Sequence, residues 1–215
     1  NHHDFKSSIT TYFKRRFDTD MEEDWILYSP SVMYSVSLLI RLLSQPHDKV
    51  LTMNPMYDAF INVIKENDRE LLSHHLIKEE GTFKIDFDVF EKQAQESTLL
   101  LLCSPHNPTG RIWSDEEMHR MIEICKKYQV KIISDENHMD IRIKDAKHHP
   151  LMKYYGEYKD IFTASSSSKT LNTPGLIGSY VIIPDEKIRD EFLGVTRRRD
   201  FLNSASIFGM YATMI

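Results

Sequence analysis

The sequence contains too little cysteine to build a disulfide framework or a zinc site. Its 215 residues include only Cys103 and Cys125, and no CxxC pair. Disulfide-rich secreted domains and zinc modules need several cysteines at short spacing, so both classes are excluded and no metal is expected. Two isolated thiols are typical of a protein in a reducing cytoplasm, which is the location we expect.

Long apolar runs and a strong charge bias are also missing. No run approaches the roughly 20 apolar residues of a membrane-spanning helix, and no signal-peptide core is found near residue 1. The net charge is −5, so neither a nucleic acid nor a membrane is an expected partner. No helix-turn-helix region or internal repeat is found. The local basic cluster Arg197-Arg198-Arg199 is predicted to be a solvated helix end.

Short apolar segments alternate with amphipathic ones along the chain. The clearest strand, 98–103, is apolar without alternation and is predicted to be buried on both faces of a parallel sheet. Other strands are predicted at 25–28, 50–53, 70–77, 82–85, 130–134, 160–163 and 178–183. Helices are predicted at 4–17, 87–95, 151–155, 185–196 and 207–215, with others beginning near 32, 56 and 115. This order predicts an α/β fold, a mostly parallel sheet flanked by helices in three α/β/α layers.

Polar residues stand where these strands end, and ligands of such sheets bind at that edge. The amides after Pro30 and the serines of the run 165–168 suit an anion. Among the other candidates, Tyr57 offers an aromatic face, Asn107 an amide donor and His138 an imidazole. Asp135 offers a carboxylate for a cationic nitrogen, and Lys169 an amine that can form a Schiff base. An anion, a ring with a protonated nitrogen, a ring oxygen and an aldehyde together describe pyridoxal 5′-phosphate (PLP).

Each candidate has an ordinary structural interpretation when it is taken alone. Tyr57 could be a core or surface aromatic, and His138 a hydrogen-bonded histidine at a strand end. Asp135 could cap a helix, and Asn107-Pro108 is a common turn signal. A serine run is typical of a loop. Only the ordered set of residues favours the functional interpretation.

Five stretches carry a resemblance to a known family. They lie at 29–32, 54–60, 104–110, 134–138 and 166–169, and read SPSV, NPMYDAF, SPHNPTG, SDENH and SSSK. On these motifs the chain resembles the large domain of fold-type I PLP enzymes, the class I/II aminotransferase superfamily. One such motif is a weak signal, whereas five in the family's order are specific.

Three details resemble the cystathionine β-lyase branch of that superfamily, the MalY/PatB-type C–S lyases. They are Tyr57-Asp58-Ala59-Phe60, His138 where typical aminotransferases carry a tyrosine, and the run from Ser168 to Gly175, which looks like S-K-T-F-N-x-x-G. Aspartate-aminotransferase-like members place a phosphate-binding arginine eight residues after the lysine, and this chain has Ile177 there. The phosphate is therefore expected to rely on serines and backbone amides.

The resemblance implies a role for each matched residue. Lys169 would hold PLP as a Schiff base and then transfer protons, and Asp135 would keep the pyridine nitrogen protonated so that the ring is an electron sink. Tyr57 would stack on the ring, Asn107 would form a hydrogen bond to the ring O3′, and His138 would lie close to the same edge. Phosphate binding falls to the helix start at Ser31, through the amides of Val32 and Met33, and to Ser166 and Ser168. Alternation along the chain points Ser165 and Ser167 away from the site.

The resemblance implies a PLP-dependent C–S β-lyase that acts on a small amino-acid substrate such as cystathionine. An aminotransferase is the alternative, because it shares the cofactor and the early steps. A catalytically incomplete fragment is a second alternative. Residues 1–215 are expected to form the PLP-binding large domain, without the family's N-terminal segment and C-terminal small domain. The family also implies a homodimer with sites at the subunit interface.

Overall fold

A computed structural model describes residues 3–141, 146–202 and 204–214 of the chain. Within them the chain forms nine strands, β1 to β9, at Ile26–Ser29, Lys49–Asn54, Glu70–His75, Ile77–Glu79, Thr82–Lys84, Leu99–Cys103, Lys131–Asp135, Ile161–Ser165 and Ser179–Ile182. Seven α-helices, α1 to α7, span His3–Phe17, Val32–Leu43, Asp58–Lys65, Phe87–Ala94, Asp115–Tyr128, Glu186–Gly194 and Ile207–Thr213. Asn1, His2 and Ile215 belong to the predicted domain but lie outside the described residues.

Seven of the strands form one sheet in the order β1-β9-β8-β7-β6-β2-β3. Neighbours from β8 to β3 pair in parallel, whereas β9 runs antiparallel to both β8 and β1. The predicted mostly parallel sheet is therefore confirmed. Strands β4 and β5 pair with each other in a separate antiparallel ribbon.

Helices cover both faces of the sheet, which makes three α/β/α layers. On one face, α1 and α5 bury side chains such as Phe5, Phe13 and Met121 in a first apolar cluster. On the other face, α2 and α6 bury Leu39 and Phe192 in a second cluster. Strand β6 lies between the layers, and all five of its residues are buried, as its unbroken apolar sequence predicts.

Side-chain caps fix the first residue of several helices. Ser31 Oγ accepts a hydrogen bond from the amide of Tyr34 at 3.1 Å, so α2 starts directly after Ser31. Ser114 and Glu117 form the predicted capping box, with Ser114 Oγ accepting from the Glu117 amide at 3.2 Å and Glu117 Oε2 from the Ser114 amide at 2.8 Å. Such bonds satisfy first-turn amides that have no partner within the helix.

A few elements differ from the prediction. The strand predicted at 70–77 is interrupted, because β3 ends at His75 and the chain passes into the β4–β5 ribbon. The helix predicted at 185–196 ends at Gly194, and a π-helical turn follows at Val195–Arg199, whose arginines are exposed as predicted. No helix in the described part of the chain has both the length and the apolar character needed to cross a bilayer.

Candidate active site at the carboxyl edge of the sheet

The carboxyl ends of the parallel strands border a cavity of about 360 Å³. Every candidate residue from the sequence lines this cavity: Ser31, Val32, Met33, Tyr57, Asn107, Asp135, His138, Ser166, Ser168 and Lys169. They follow β1, β2, β6, β7 and β8, which are far apart in the sequence. Parallel strands end at one edge of a sheet, and this brings the candidates together.

Asp135 is the last residue of β7 and only 6% of it is exposed. Burial raises the pKa of its carboxyl to about 6, and the Asn137 amide, which donates to Oδ1 at 3.0 Å, partly opposes this rise. The nearby Lys169 ammonium also lowers the pKa. At neutral pH the carboxylate is mostly ionised yet poorly solvated, so a cationic group in the cavity would gain from pairing with it.

Lys169 and His138 bring two nitrogen bases to the cavity. Lys169 lies four residues after the end of β8, and its side chain is exposed. Burial lowers the pKa of the half-buried His138 imidazole, and the Lys169 ammonium lowers it further. His138 is therefore neutral at physiological pH, and it can accept a proton or a hydrogen bond at the cavity wall.

The serine run separates into two sets, as alternation predicts. Ser166 is 5% exposed, and its hydroxyl donates to Asn137 Oδ1 at 2.6 Å and lies 2.6 Å from Ser168 Oγ. Ser165 Oγ instead donates to the Glu136 carbonyl at 3.0 Å, and Ser167 Oγ lies 3.1 Å from Thr213 Oγ1. Only Ser166 and Ser168 line the cavity.

The start of α2 supplies neutral donors to the same cavity. The amides of Val32 and Met33 belong to the first helical turn and have no carbonyl partner within the helix. The Tyr34 amide is already capped by Ser31, so it does not compete for a ligand. First-turn amides and nearby hydroxyls together suit an anion.

Tyr57 and Asn107 complete the cavity wall from two loops. Tyr57 follows β2, is 37% exposed and packs its ring edge-on against Phe60 at 5.9 Å between centroids. Asn107 lies in the turn after β6, beside a buried His106 whose Nδ1 is 2.7 Å from Thr109 Oγ1. Burial lowers the pKa of His106 to about 4, so this imidazole is neutral and holds the turn without adding charge to the site.

Further residues line the cavity, namely Pro30, Cys103, Asn137, Pro174, Ile177, Gly178 and Ser179. Ile177 stands where the resemblance places the phosphate-binding arginine of other family members, and the remaining residues were not among the predicted candidates. Cys103 pairs in register with Asp135, so strand alternation could have placed it on the same face. Asn137 lies between two candidates, Asp135 and His138, and could have been found by its position. Pro174 and Gly178 have no such signal, because the chain between β8 and β9 brings them to the cavity, and Ser179 is the first residue of β9.

A protein-family model described as aminotransferase class I and II matches residues 1–213. The chain is 31% identical to cystathionine beta-lyase PatB of Bacillus subtilis over 210 residues, which are 96% of this chain and 54% of that protein. It is 34% identical to Protein MalY of Escherichia coli over 211 residues, which are 97% of this chain and 54% of that protein.

The fold is similar to that of a solved C–S lyase. The crystal structure of the PLP-bound C–S lyase from Staphylococcus hominis matches with a TM-score of 0.92 and 28% identity, over 98% of this chain and 53% of that one. The chain therefore spans about half the length of these relatives. The matches to PatB, MalY and this lyase agree with the branch that the motifs indicate.

Proposed function

The chain belongs to the class I and II aminotransferase family, and from that premise we propose that it is a PLP-dependent C–S β-lyase. Such an enzyme cleaves a sulfur amino acid such as cystathionine into a thiol, pyruvate and ammonia. The observation that carries the proposal is that Lys169 and Asp135 line one cavity. PLP enzymes require a lysine amine and an acidic partner for the pyridine nitrogen. The likeness to PatB supports the lyase reaction.

The residues present fit PLP. The cavity, about 360 Å³ in volume, lies within the roughly 300–1,000 Å³ range of small-molecule sites. Its buried Asp135 carboxylate has a raised pKa, which a pyridinium nitrogen would lower again by pairing with it. Neutral donors from α2 and the serines suit a phosphate, and Lys169 suits an aldehyde.

Two residues carry the chemistry in this proposal. When bound, PLP supplies an electron sink for negative charge at the substrate Cα. Lys169 Nζ would hold the cofactor through its aldehyde group and would be the base that takes the substrate Cα proton. Asp135 would keep the pyridine nitrogen protonated, which would maintain the electron demand of the ring.

The remaining candidates hold and orient the cofactor in this proposal. Tyr57 would stack on the ring, Asn107 would donate a hydrogen bond to O3′, and neutral His138 would lie at the same edge of the ring. Ser166, Ser168 and the first turn of α2 after Ser31 would bind the phosphate, the helix through the amides of Val32 and Met33. Ile177 would give the phosphate no cationic partner, so these neutral donors and the helix dipole would stabilise its charge.

An aminotransferase is the second candidate, and the matching family model favours it. It would use Lys169 and Asp135 in the same way but return the proton to the cofactor instead of releasing a thiol. A catalytically incomplete unit is the third candidate, because residues 1–215 correspond to about half of each relative. In that case the chain would bind PLP with little turnover.

Incubation with PLP and cystathionine tests the lyase reaction directly. We expect thiol and pyruvate to appear in equal amounts, and Lys169→Ala to abolish both. Transfer of the amino group to a 2-oxo acid without thiol release would contradict the lyase proposal and support the aminotransferase. PLP binding with neither reaction would support the incomplete unit.

The proposal also includes a homodimer in a reducing cytoplasm. Phe201, Ile207, Phe208 and Tyr211 are 65–76% exposed, and a group of large apolar side chains exposed in one segment is typical of a protein interface. The buried thiols of Cys103 and Cys125 are free, which suits a reducing compartment.

A further inference from the structure

Next to Asp135 lies a second buried carboxylate that the proposed chemistry does not use. Glu136 follows Asp135 in the sequence, and its side chain is 0% exposed. Successive side chains of an extended chain point to opposite faces, so Glu136 lies behind the sheet edge while Asp135 faces the cavity. A buried carboxylate is costly unless it is paired or hydrogen-bonded, so its contacts indicate its role.

Three donors surround the Glu136 carboxylate. Oε1 accepts from the Leu151 amide at 2.7 Å and from Ser134 Oγ at 3.0 Å, and Oε2 lies 3.4 Å from His148 Nε2. In the described part of the chain, His148 is its only basic partner within 4 Å. The carboxylate therefore depends on His148 and Leu151, which lie 12 and 15 residues later.

His148 is enclosed as completely as its partner. Its side chain is 0% exposed, and its ring meets the Phe17 ring of α1 edge-on at 5.6 Å between centroids. Nδ1 has no hydrogen-bond partner within the described residues. Burying a ring nitrogen without a hydrogen-bond partner is unfavourable. The His148 imidazole is nevertheless held in place, by Phe17 on one side and Glu136 on the other.

The Glu136 contacts tie residues 148–151 to the chain that directly follows β7. Asn137 and His138 come next after Glu136 and line the cavity. Two turns order these residues, since the Met139 amide donates to the Glu136 carbonyl and the Ile141 amide to the His138 carbonyl. The Glu136 carboxylate thus anchors the residue from which the first of these turns starts.

We propose that Glu136 and His148 are positioning residues that fix His138 at the cavity wall by anchoring the start of the turn that carries it. The inference rests on the proposed function only in so far as His138 belongs to the active site. Without the carboxylate, the Leu151 amide and His148 lose their buried acceptor, and the turn that carries His138 loses its anchor. His138 would then become more exposed to water.

The pKa of His138 and the exchange of backbone amides test the proposal in the cofactor-free protein. Glu136→Leu should raise the His138 pKa towards its ordinary value, because burial is the main cause of its depression. It should also speed hydrogen exchange at Leu151, Met139 and Ile141 by about tenfold or more, while amides of α5 keep their protection. Histidine titration by NMR and exchange mass spectrometry measure these changes.

Two milder variants and a control keep the test decisive. Glu136→Gln retains an oxygen for the Leu151 amide and should restore the His138 pKa and most of the protection. His148→Gln should give a smaller change in the same direction as Glu136→Leu. His149→Gln is the control, because His149 contacts Asp115 and not Glu136; it should change neither the His138 pKa nor exchange at Met139.

Faster exchange at Leu151 with unchanged exchange at Met139 and an unchanged His138 pKa would overturn the proposal. If Glu136→Leu does not fold, His148→Gln decides: an unchanged His138 pKa in that variant overturns it. All readouts are made without PLP, so failure of the proposed lyase function would leave them intact, and their failure would not affect the thiol assay.

Discussion

At the scale of single residues, the buried carboxylate of Asp135 lowers the stability of the ligand-free protein, and the same carboxylate is available to bind a cation. Burial raises the carboxyl pKa from 3.8 to about 6. Because the folded pKa lies above the unfolded value, the folded state binds this proton more tightly. The free energy of unfolding therefore decreases as the pH rises from about 4 to about 6, and the loss is complete above that range.

Asp135→Asn should remove this loss. One pKa unit corresponds to about 1.36 kcal/mol, so we expect the ligand-free variant to gain up to about 3 kcal/mol at neutral pH and little near pH 4. Urea unfolding at both pH values measures the difference. The same variant should bind PLP more weakly, since the pyridine nitrogen loses its partner. An equal gain at both pH values would show that ionisation of Asp135 is not the cause.

The two sets of serines give a matched pair of variants. Ser166→Ala removes a hydroxyl from the cavity, and a hydrogen bond to a charged group contributes about 1.5–3 kcal/mol. We expect PLP affinity to fall by about tenfold or more. Ser167→Ala removes only the contact with Thr213 and should leave the affinity unchanged. Fluorescence titration with PLP compares the two, and equal losses would contradict the assigned phosphate contacts.

At the scale of elements, the segments that the sequence predicted correctly are those with a clear pattern of apolar residues. Strand β6 was identified by its unbroken apolar run, and α1 by apolar residues at helical spacing. The antiparallel direction of β9 was not predicted, because an apolar run does not reveal which way a strand pairs. The break between β3 and β4 was missed for a similar reason, since alternation continues through a residue that changes sheets.

Helix α7 packs closely against the loop after Lys169, and alanine substitutions at Gly209 and Gly175 test this close approach. A Cβ at Gly209 would clash with the Ile177 carbonyl oxygen and lie 2.7 Å from that of Leu176. Alanine favours a helix by up to about 1 kcal/mol, but overpacking against backbone costs about 1–3 kcal/mol. We therefore expect Gly209→Ala to lower the melting temperature. Gly175→Ala meets nothing within 4 Å and should not; equal effects would contradict the close approach.

At the scale of the whole molecule, the topology explains why the candidate site was largely predictable. Each candidate follows a strand, and parallel strands deliver their ends to one edge, so residues as distant as Tyr57 and Lys169 line one cavity. Residues that the connections between strands bring to the cavity, such as Pro174, carry no sequence signal of this kind. The contact between Glu136 and His148 was equally hidden, because the two residues lie 12 apart in the sequence and no pattern connects them.

The exposed apolar side chains of Phe201, Ile207, Phe208 and Tyr211 predict self-association. Phe208 is 75% exposed, and replacing it with a charged residue would place a poorly solvated charge in a subunit interface. We expect the protein to sediment as a dimer and Phe208→Glu to sediment as a monomer. Val89→Glu, at a 42% exposed position on α4, is the control and should remain dimeric. A wild-type protein that stays monomeric at high concentration would contradict the proposed homodimer.

The covalent attachment of PLP to Lys169 tests the central claim most directly. After incubation with PLP and borohydride reduction, peptide mapping should find one PLP group per chain, on the peptide that contains Lys169. Lys169→Arg should lose both this label and the visible absorption band of the bound cofactor. Stoichiometric labelling of a different lysine, or no label above that of the Lys169→Arg variant, would contradict the assignment of this cavity as a PLP site.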